Sequence, residues 1–433
     1  MPEKYKLGLT RNRLFEFDNC VSFLGEAREK FDYDRCIKAL KTLCLKEPLL
    51  CCGAELCENG DAYIVEGRNE IDFEFFQGDL KEYVRKKEYE GFDFSKSLFS
   101  FAVLNGNVLG VFAHTLVADV RSLIYVAGAF MNIYESGSLS VVPSEIKVIS
   151  EASQLPSGVF SVVIDRLSSG LEMDWQKNEK IFSQGDYRGA REKYLSKKQE
   201  QGTLVIDIDP QTLSSLKDFA AREKVDVSSL VAFVFHESLT KILGGRKKFK
   251  KLNIHVNERA FLEGFEKAYM GAFNGIITVS KKKEKGLPDT LRNNGVGFHK
   301  NIYKNFTSVF KVFYNEFLLM RVPGSYCDSQ YMYCAGMFPR KCSKKLAKTY
   351  GCANEVAGEF CSCNLNQNFW SDQKAFKDVY VQEPLKMRSA TMITFVEKGD
   401  SGRVYFKYKK AEVSDEAAQN VTRKAVGLLK EFN

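Results

Sequence analysis

Residues 99–114 constrain this chain most. Two apolar runs, Phe99 to Leu104 and Val108 to His114, flank Asn105-Gly106. Asn-Gly supplies the positive φ angles of a tight type I′ turn, so the stretch predicts an antiparallel hairpin. Alternation along the second strand puts His114 on the face of Phe112 and Gly110. Thr115 falls on the opposite face if the strand continues that far. The chain then runs Leu-Val-Ala-Asp119-Val120-Arg-Ser122-Leu123. An apolar helix is expected after Ser122, to about Tyr134.

Other segments give a mixed pattern. Asp34 opens a helical pattern with Ile37, Leu40, Leu43 and Cys44 on one face, and Pro48 stops it. Ala62 to Val65 reads as a strand. Residues 174–201 are polar and charged and are read as a linker or crossover. It divides an N-terminal lobe, 1–173, from a C-terminal lobe, 202–433. In the second half, Thr203 to Ile208 alternates like a strand. Asp209-Pro210 then gives a helix N-cap followed by proline at the first helical position. Leu213, Leu216 and Phe219 form that helix's buried face. Asp226 opens a second helix, and strands follow at Leu252 to Val256 and Gly275 to Val279. A second hairpin joins Thr391 to Val396 with Arg403 to Tyr408. Ser414 caps a last helix with Val421, Ala425, Leu428 and Leu429 inward. Strand pairs followed by helices in both halves predict an α+β protein of two similar lobes.

Composition excludes some classes. The chain has 433 residues and a net charge of +8, which is mild for this length and gives no nucleic-acid signature. That charge suits anionic partners such as CoA phosphates or an acidic carrier protein. No run approaches the ~18 apolar residues of a membrane span. The polar opening Met-Pro-Glu-Lys-Tyr-Lys carries no signal-peptide pattern. Twelve cysteines are therefore read as reduced thiols of a cytoplasmic protein. Cys361-Ser-Cys363 and Cys51-Cys52 lack metal-ligand spacing and a nearby histidine, so no metal site is expected. The chain has no Gly-rich phosphate loop. Lysine runs at Arg246 to Lys251, Lys281 to Lys285 and Arg340 to Lys348 read as solvated faces.

The histidine segment resembles the His-His-x-x-x-Asp-Gly signature of the CoA-dependent acyltransferase superfamily, which includes condensation domains. Four further stretches resemble that family in order and spacing. They are Ala39-Leu40 to Glu-Pro-Leu-Leu50, Phe92-Asp-Phe-Ser-Lys-Ser-Leu-Phe99, Val256-Asn-Glu-Arg259 and Met270-Gly-Ala-Phe-Asn-Gly275. Ser97 replaces the family's usual proline. Cys361 to Asn368 falls where members carry a small-residue stretch near the channel. The resemblance implies two chloramphenicol acetyltransferase-like α/β-sandwich lobes in a V, with a central channel. It implies acyl transfer from an acyl-CoA or acyl-phosphopantetheine co-substrate to a hydroxyl or amine of a small-molecule acceptor. No permanently bound cofactor is implied, and an acyl or peptidyl carrier protein is an implied partner.

The signature is degenerate where chemistry needs it. A histidine near neutral pKa takes the acceptor's proton as it attacks the thioester. Thr115 stands at that position and cannot act as a base near neutral pH. Val120 replaces the flexible glycine. Two alignments stay open. Without a gap, His114 matches the family's first, structural histidine and the base is lost at Thr115. With one inserted residue, His114 is itself the base. Asp119 is the implied structural anchor of the loop, through an arginine. Val120, Ser122 and Asn274 are the channel candidates, and His255 is held in reserve. His236 and His299 are isolated in sequence. Two functions follow, an acyltransferase or a non-catalytic condensation-like protein that binds a carrier, an acyl ligand or a protein partner.

Overall fold

The structure, a computed structural model, describes residues 2–8, 10, 13–14, 16–57, 61–67, 71–137, 143–151, 154–155, 184–196, 200–244, 250–265, 269–280, 290–306, 356–365, 376–386 and 389–432. In chain order the strands are β1 (Lys4–Lys6), β2 (Cys20–Ala27), β3 (Gly53–Leu56), β4 (Ala62–Val65), β5 (Asp72–Phe76), β6 (Phe99–Leu104) and β7 (Val108–His114). The second half supplies β8 (Gln201–Ile208), β9 (Lys251–Asn257), β10 (Asn274–Ser280), β11 (Val356–Asn364), β12 (Phe376–Gln382), β13 (Ser389–Lys398) and β14 (Ser401–Lys409).

The hairpin forms as its sequence requires. Asn105 and Gly106 hold φ of 51° and 81°, the left-handed pair that a type I′ turn needs. β7 lies inside a five-stranded sheet of order β12-β2-β7-β6-β5, and a small sheet β1-β4-β3 stands beside it. The helices Tyr33–Lys46 and Val120–Ser136 pack with this half's main core, which contains Val111 and Ala113. Phe112 points the other way, into a smaller cluster with Tyr83 and Val84 from the helix Leu80–Glu90. The two faces of β7 thus serve different cores, as alternation dictates.

A six-stranded sheet of order β10-β9-β11-β13-β14-β8 organises the second half. Leu252, Ile254, Val256, Ile277, Val279 and Phe360 fill one face with its helices. Cys361, Cys363, Met392 and Val396 belong instead to the core of the first half. The second sheet is therefore covered on both faces, which explains the unbroken burial of β13 from Ser389 to Glu397.

Asp209 caps the helix Pro210–Glu223 by accepting from Thr212 N–H at 2.8 Å. Ser414 likewise caps Asp415–Lys430. Elsewhere the boundaries move. The first helix is capped by Asp32 and buries Cys36 and Ala39, while Ile37 and Cys44 are only half-buried. The helix expected after Ser122 begins at Val120, because Asp119 is its N-cap. The stretch read as a linker contains a helix, Gln184–Leu195. Its Tyr194 packs against Phe17 with the rings tilted, centroids 5.3 Å apart, and donates its hydroxyl to Asp18. Strand β12, from the second half of the sequence, forms the edge of the first half's sheet, antiparallel to β2. Residues 174–183, the lysine runs at 281–285 and 340–348, and most of 246–251 lie outside the described residues. Among the described residues, no helix is long and apolar enough to cross a membrane, and the cysteines are free thiols.

Candidate functional site

Asp119 is the junction of the two halves. Its carboxylate accepts from Ser122 N–H at 2.9 Å and Ser122 Oγ at 3.0 Å, which starts the helix. Arg259, just beyond β9, donates Nη1 to Asp119 Oδ2 at 2.6 Å. Its Nη2 reaches the carbonyls of Tyr269 (3.2 Å) and Gly271 (2.9 Å) and Ser122 Oγ (3.2 Å). Nη2 also donates to Asp119 Oδ1 at 3.4 Å, and Phe273 N–H to Oδ2 at 3.3 Å. Burial pushes the Asp119 carboxyl up, but the guanidinium and the donated hydrogen bonds outweigh it, so it sits below the usual carboxylate range. A backbone bridge between Ala118 and Gly271 lies beside the pair.

His114 is placed otherwise. It is fully buried. Its ring meets Phe92 and Phe94 edge-on, with centroids 5.7 and 5.6 Å away. Nδ1 accepts from Leu116 N–H at 2.9 Å, and Nε2 faces the Asn19 side-chain amide at 3.0 Å. An accepting Nδ1 fixes the neutral ring with its proton on Nε2. Asn19 Nδ2 is placed toward Nε2, and turning the amide over brings its oxygen there to accept the Nε2–H hydrogen bond. Burial, with the Arg191 guanidinium nearby, pushes the imidazole down to about 3. Thr115 points to the opposite side. Its hydroxyl donates to Glu16 Oε2 at 2.8 Å, and Glu16 Oε1 accepts from the half-buried Lys386 at 2.8 Å.

A pocket of about 40 Å³ opens between the halves. Asp119, Val120 and Arg121 line it from the first half, and His255, Asn274, Cys361 and Glu383 from the second. Of the channel candidates, Val120 and Asn274 reach it. Ser122 does not, because its hydroxyl is bonded to Asp119 and to the carbonyls of Tyr269 and Gly271. Neither His114 nor Thr115 lines it.

The reserve residue His255 sits at the centre of that pocket's polar cluster. On β9, Leu252, Ile254 and Val256 point to the helices, so alternation turns His255 to the other face. Asn274 on β10 and Glu359 and Cys361 on β11 share it. His255 Nε2 lies 2.8 Å from Glu359 Oε2, and Ser389 Oγ donates to Glu359 Oε1 at 2.7 Å. Burial raises Glu359, but hydrogen bonding and charge from His255, with Lys386 and Ser389, bring it down to about 2. Asn274 Nδ2 stands 2.7 Å from His255 Nδ1 and donates to Glu383 Oε1 at 3.3 Å. Glu383 follows the crossing strand β12 and also accepts from Val120 N–H at 3.4 Å. Burial pushes the carboxyl of Glu383 up and the thiol of Cys361 well up.

A larger cleft, about 490 Å³, lies among β12, the β13–β14 turn and β8. Its charges pair with one another, as in Lys377–Glu26, Arg403–Asp207 and Arg403–Asp378. It holds none of the loop residues, so the small pocket is the chemically informative one.

Glu359, Glu383, Glu16 and Arg191 were not singled out in the sequence. Their respective partners His255, Asn274, Thr115 and His114 lie roughly 80 to 110 residues away, and local spacing carries no such signal.

No protein-family model and no curated protein matches the chain. Solved structures do. The first condensation domain of the calcium-dependent antibiotic synthetase, in complex with substrate analogue 2a, superposes with a TM-score of 0.67 at 10% identity, covering 99% of this chain and 96% of that one. The condensation domain from Monacolin K polyketide synthase MokA gives 0.63 at 11% identity, covering 99% and 97%. The epimerization domain from the third module of tyrocidine synthetase B gives 0.61 at 12% identity, with the same coverage. The chain has the condensation-domain fold, two chloramphenicol acetyltransferase-like α/β-sandwich lobes.

Proposed function

We propose that this chain is a condensation-fold binding protein that engages an acidic acyl or peptidyl carrier protein and does not catalyse acyl transfer through its loop histidine. One observation carries this reading: the His114 ring is enclosed by Phe92, Phe94, Asn19 and the Leu116 N–H, with its basicity suppressed to about 3. A general base needs a pKa near the working pH and reach to the acceptor's proton. The loop offers neither under either alignment, and Thr115 brings only a hydroxyl bonded to Glu16.

The space beside the loop supports the same reading. A pocket of about 40 Å³ has space for a few waters, each needing on the order of 10–15 Å³ of such volume. Sites for sizeable ligands run to several hundred Å³, roughly 300–1,000. Among the described residues, the space beside the loop is small for an acyl-phosphopantetheine arm or a small-molecule acceptor. The net charge of +8 favours an acidic carrier surface, which steers association and weakens with salt.

The test mixes the full chain with an acidic acyl carrier protein in its holo and acyl-loaded forms. Calorimetry should detect binding that weakens as salt rises. The acyl group should stay on the carrier when amine and alcohol acceptors are added, with wild type and His114→Gln alike. Absence of carrier binding, or acyl release that His114→Gln abolishes, would overturn the proposal. A second reading has its own support, because His255, oriented by Glu359, lines the pocket. Release that survives His114→Gln and stops in His255→Ala would move the chemistry there.

A further inference from the structure

We propose that His255, Cys361 and Glu383 form a zinc site. The ligand atoms available from these three residues all lie within 4.8 Å of one another. Bond lengths of about 2.0–2.3 Å to nitrogen, oxygen and sulfur place the ligands of one tetrahedral ion roughly 3.3–3.8 Å apart, so closing on an ion needs a contraction of about 1 Å. The donors come from β9, β11 and the segment after β12, elements held by sheet pairing on three sides. Spacing along the sequence cannot reveal such a set, since Cys361 has no CxxC partner.

The donors fit zinc in kind. Imidazole, thiolate and carboxylate together suit this borderline-soft ion, and three protein ligands with one open position is its usual reactive arrangement. Zn²⁺ with one thiolate, one carboxylate and a neutral imidazole is a neutral unit, which suits a buried place. On binding, the Cys361 thiol gives its proton to solvent, as does any Glu383 carboxyl that is protonated. The pocket of about 40 Å³ leaves room for one water as the fourth ligand.

The surroundings match a metal-bound histidine. A ligating imidazole usually donates its other N–H to a carboxylate. Glu359 already receives His255 Nε2 at 2.8 Å, which leaves Nδ1 for the ion. Asn274 Nδ2 now stands between that Nδ1 (2.7 Å) and Glu383 Oε1 (3.3 Å), donating one hydrogen to each. A cation between the same two acceptors replaces those donated hydrogens, and the amide swings aside or turns its oxygen inward. Arg121, exposed at the rim, and Lys386, near Glu383 and Glu359, are the opposing charges, and Asp119 is already neutralised by Arg259. The site does not depend on whether the chain binds a carrier.

The experiment titrates chelator-treated full-length protein with Co²⁺. One equivalent should bind with a thiolate-to-metal charge-transfer band and the strong visible bands of a four-coordinate ion, and Zn²⁺ should displace it. Cys361→Ser should remove the charge-transfer band, and Cys363→Ser on the same strand should keep it. Glu359→Gln should weaken binding by roughly 10–100-fold while keeping the spectrum. X-ray absorption on the zinc-loaded wild type, which needs no variant to fold, should show one sulfur and otherwise nitrogen or oxygen. No stoichiometric binding, two or more sulfurs, or a band that survives Cys361→Ser would overturn the proposal.

Discussion

Arg259→Ala is expected to lower the unfolding free energy by about 3–5 kcal/mol, the cost of leaving one member of a buried ion pair alone. Arg259 holds more than a charge. Its fork joins Asp119 at 2.6 Å to the carbonyls of Tyr269 and Gly271, and it lies over the Phe273 ring, 4.9 Å from the centroid. Removing it leaves the buried Asp119 carboxylate without its counter-charge and takes one donor from the carbonyls of Tyr269 and Gly271 where the two lobes meet. Replacing both charges, in Asp119→Asn with Arg259→Met, should cost less than the single change. Asparagine still caps the helix, and no uncompensated charge remains. Urea unfolding of the three proteins gives the comparison. A single-variant loss below about 1 kcal/mol would mean that the pair does not hold the lobes.

The second large effect is acid sensitivity written into His114. Its folded value of about 3 lies below the ordinary 6.5, so the unfolded chain binds the proton more readily. The full stability is present above pH 6.5. It falls as pH drops from 6.5 towards 3, by up to about 1.4 kcal/mol per pH unit and on the order of 5 kcal/mol in all. Glu359 adds a loss lower down, between its ordinary value near 4.5 and about 2, because its folded value is depressed and its contribution vanishes as it is protonated. In His114→Gln the first component disappears. Unfolding free energies at several pH values between 4.5 and 7.5 should give a flatter line for the variant, whatever its stability at neutral pH. Parallel lines would show that His114 titrates equally in both states.

The local parts of this structure are legible in the sequence. Asn105-Gly106, Asp209-Pro210 and Ser414 each specify a turn or a cap through the residue's own backbone preference and hydrogen bonding. Alternation correctly separates Phe112 and His114 from Val111 and Ala113. What the sequence hides is long-range pairing. β12 crosses to the other half's sheet because its partner, β2, lies some 350 residues earlier. Glu359 meets His255 because β11 runs parallel to β9. The valine at 120, where the resembled signature has glycine, is also placed only in three dimensions. Val120 is the first residue of a helix capped by Asp119, where no positive φ is required.

The loop histidine is sealed away from the pocket between the two halves. The most direct test is nitrogen NMR of the four histidines, with His114 assigned by substitution. The account predicts a neutral ring protonated at Nε2, with Nδ1 accepting, unchanged between pH 5 and 8. A titration of His114 centred between pH 6 and 7 would contradict it.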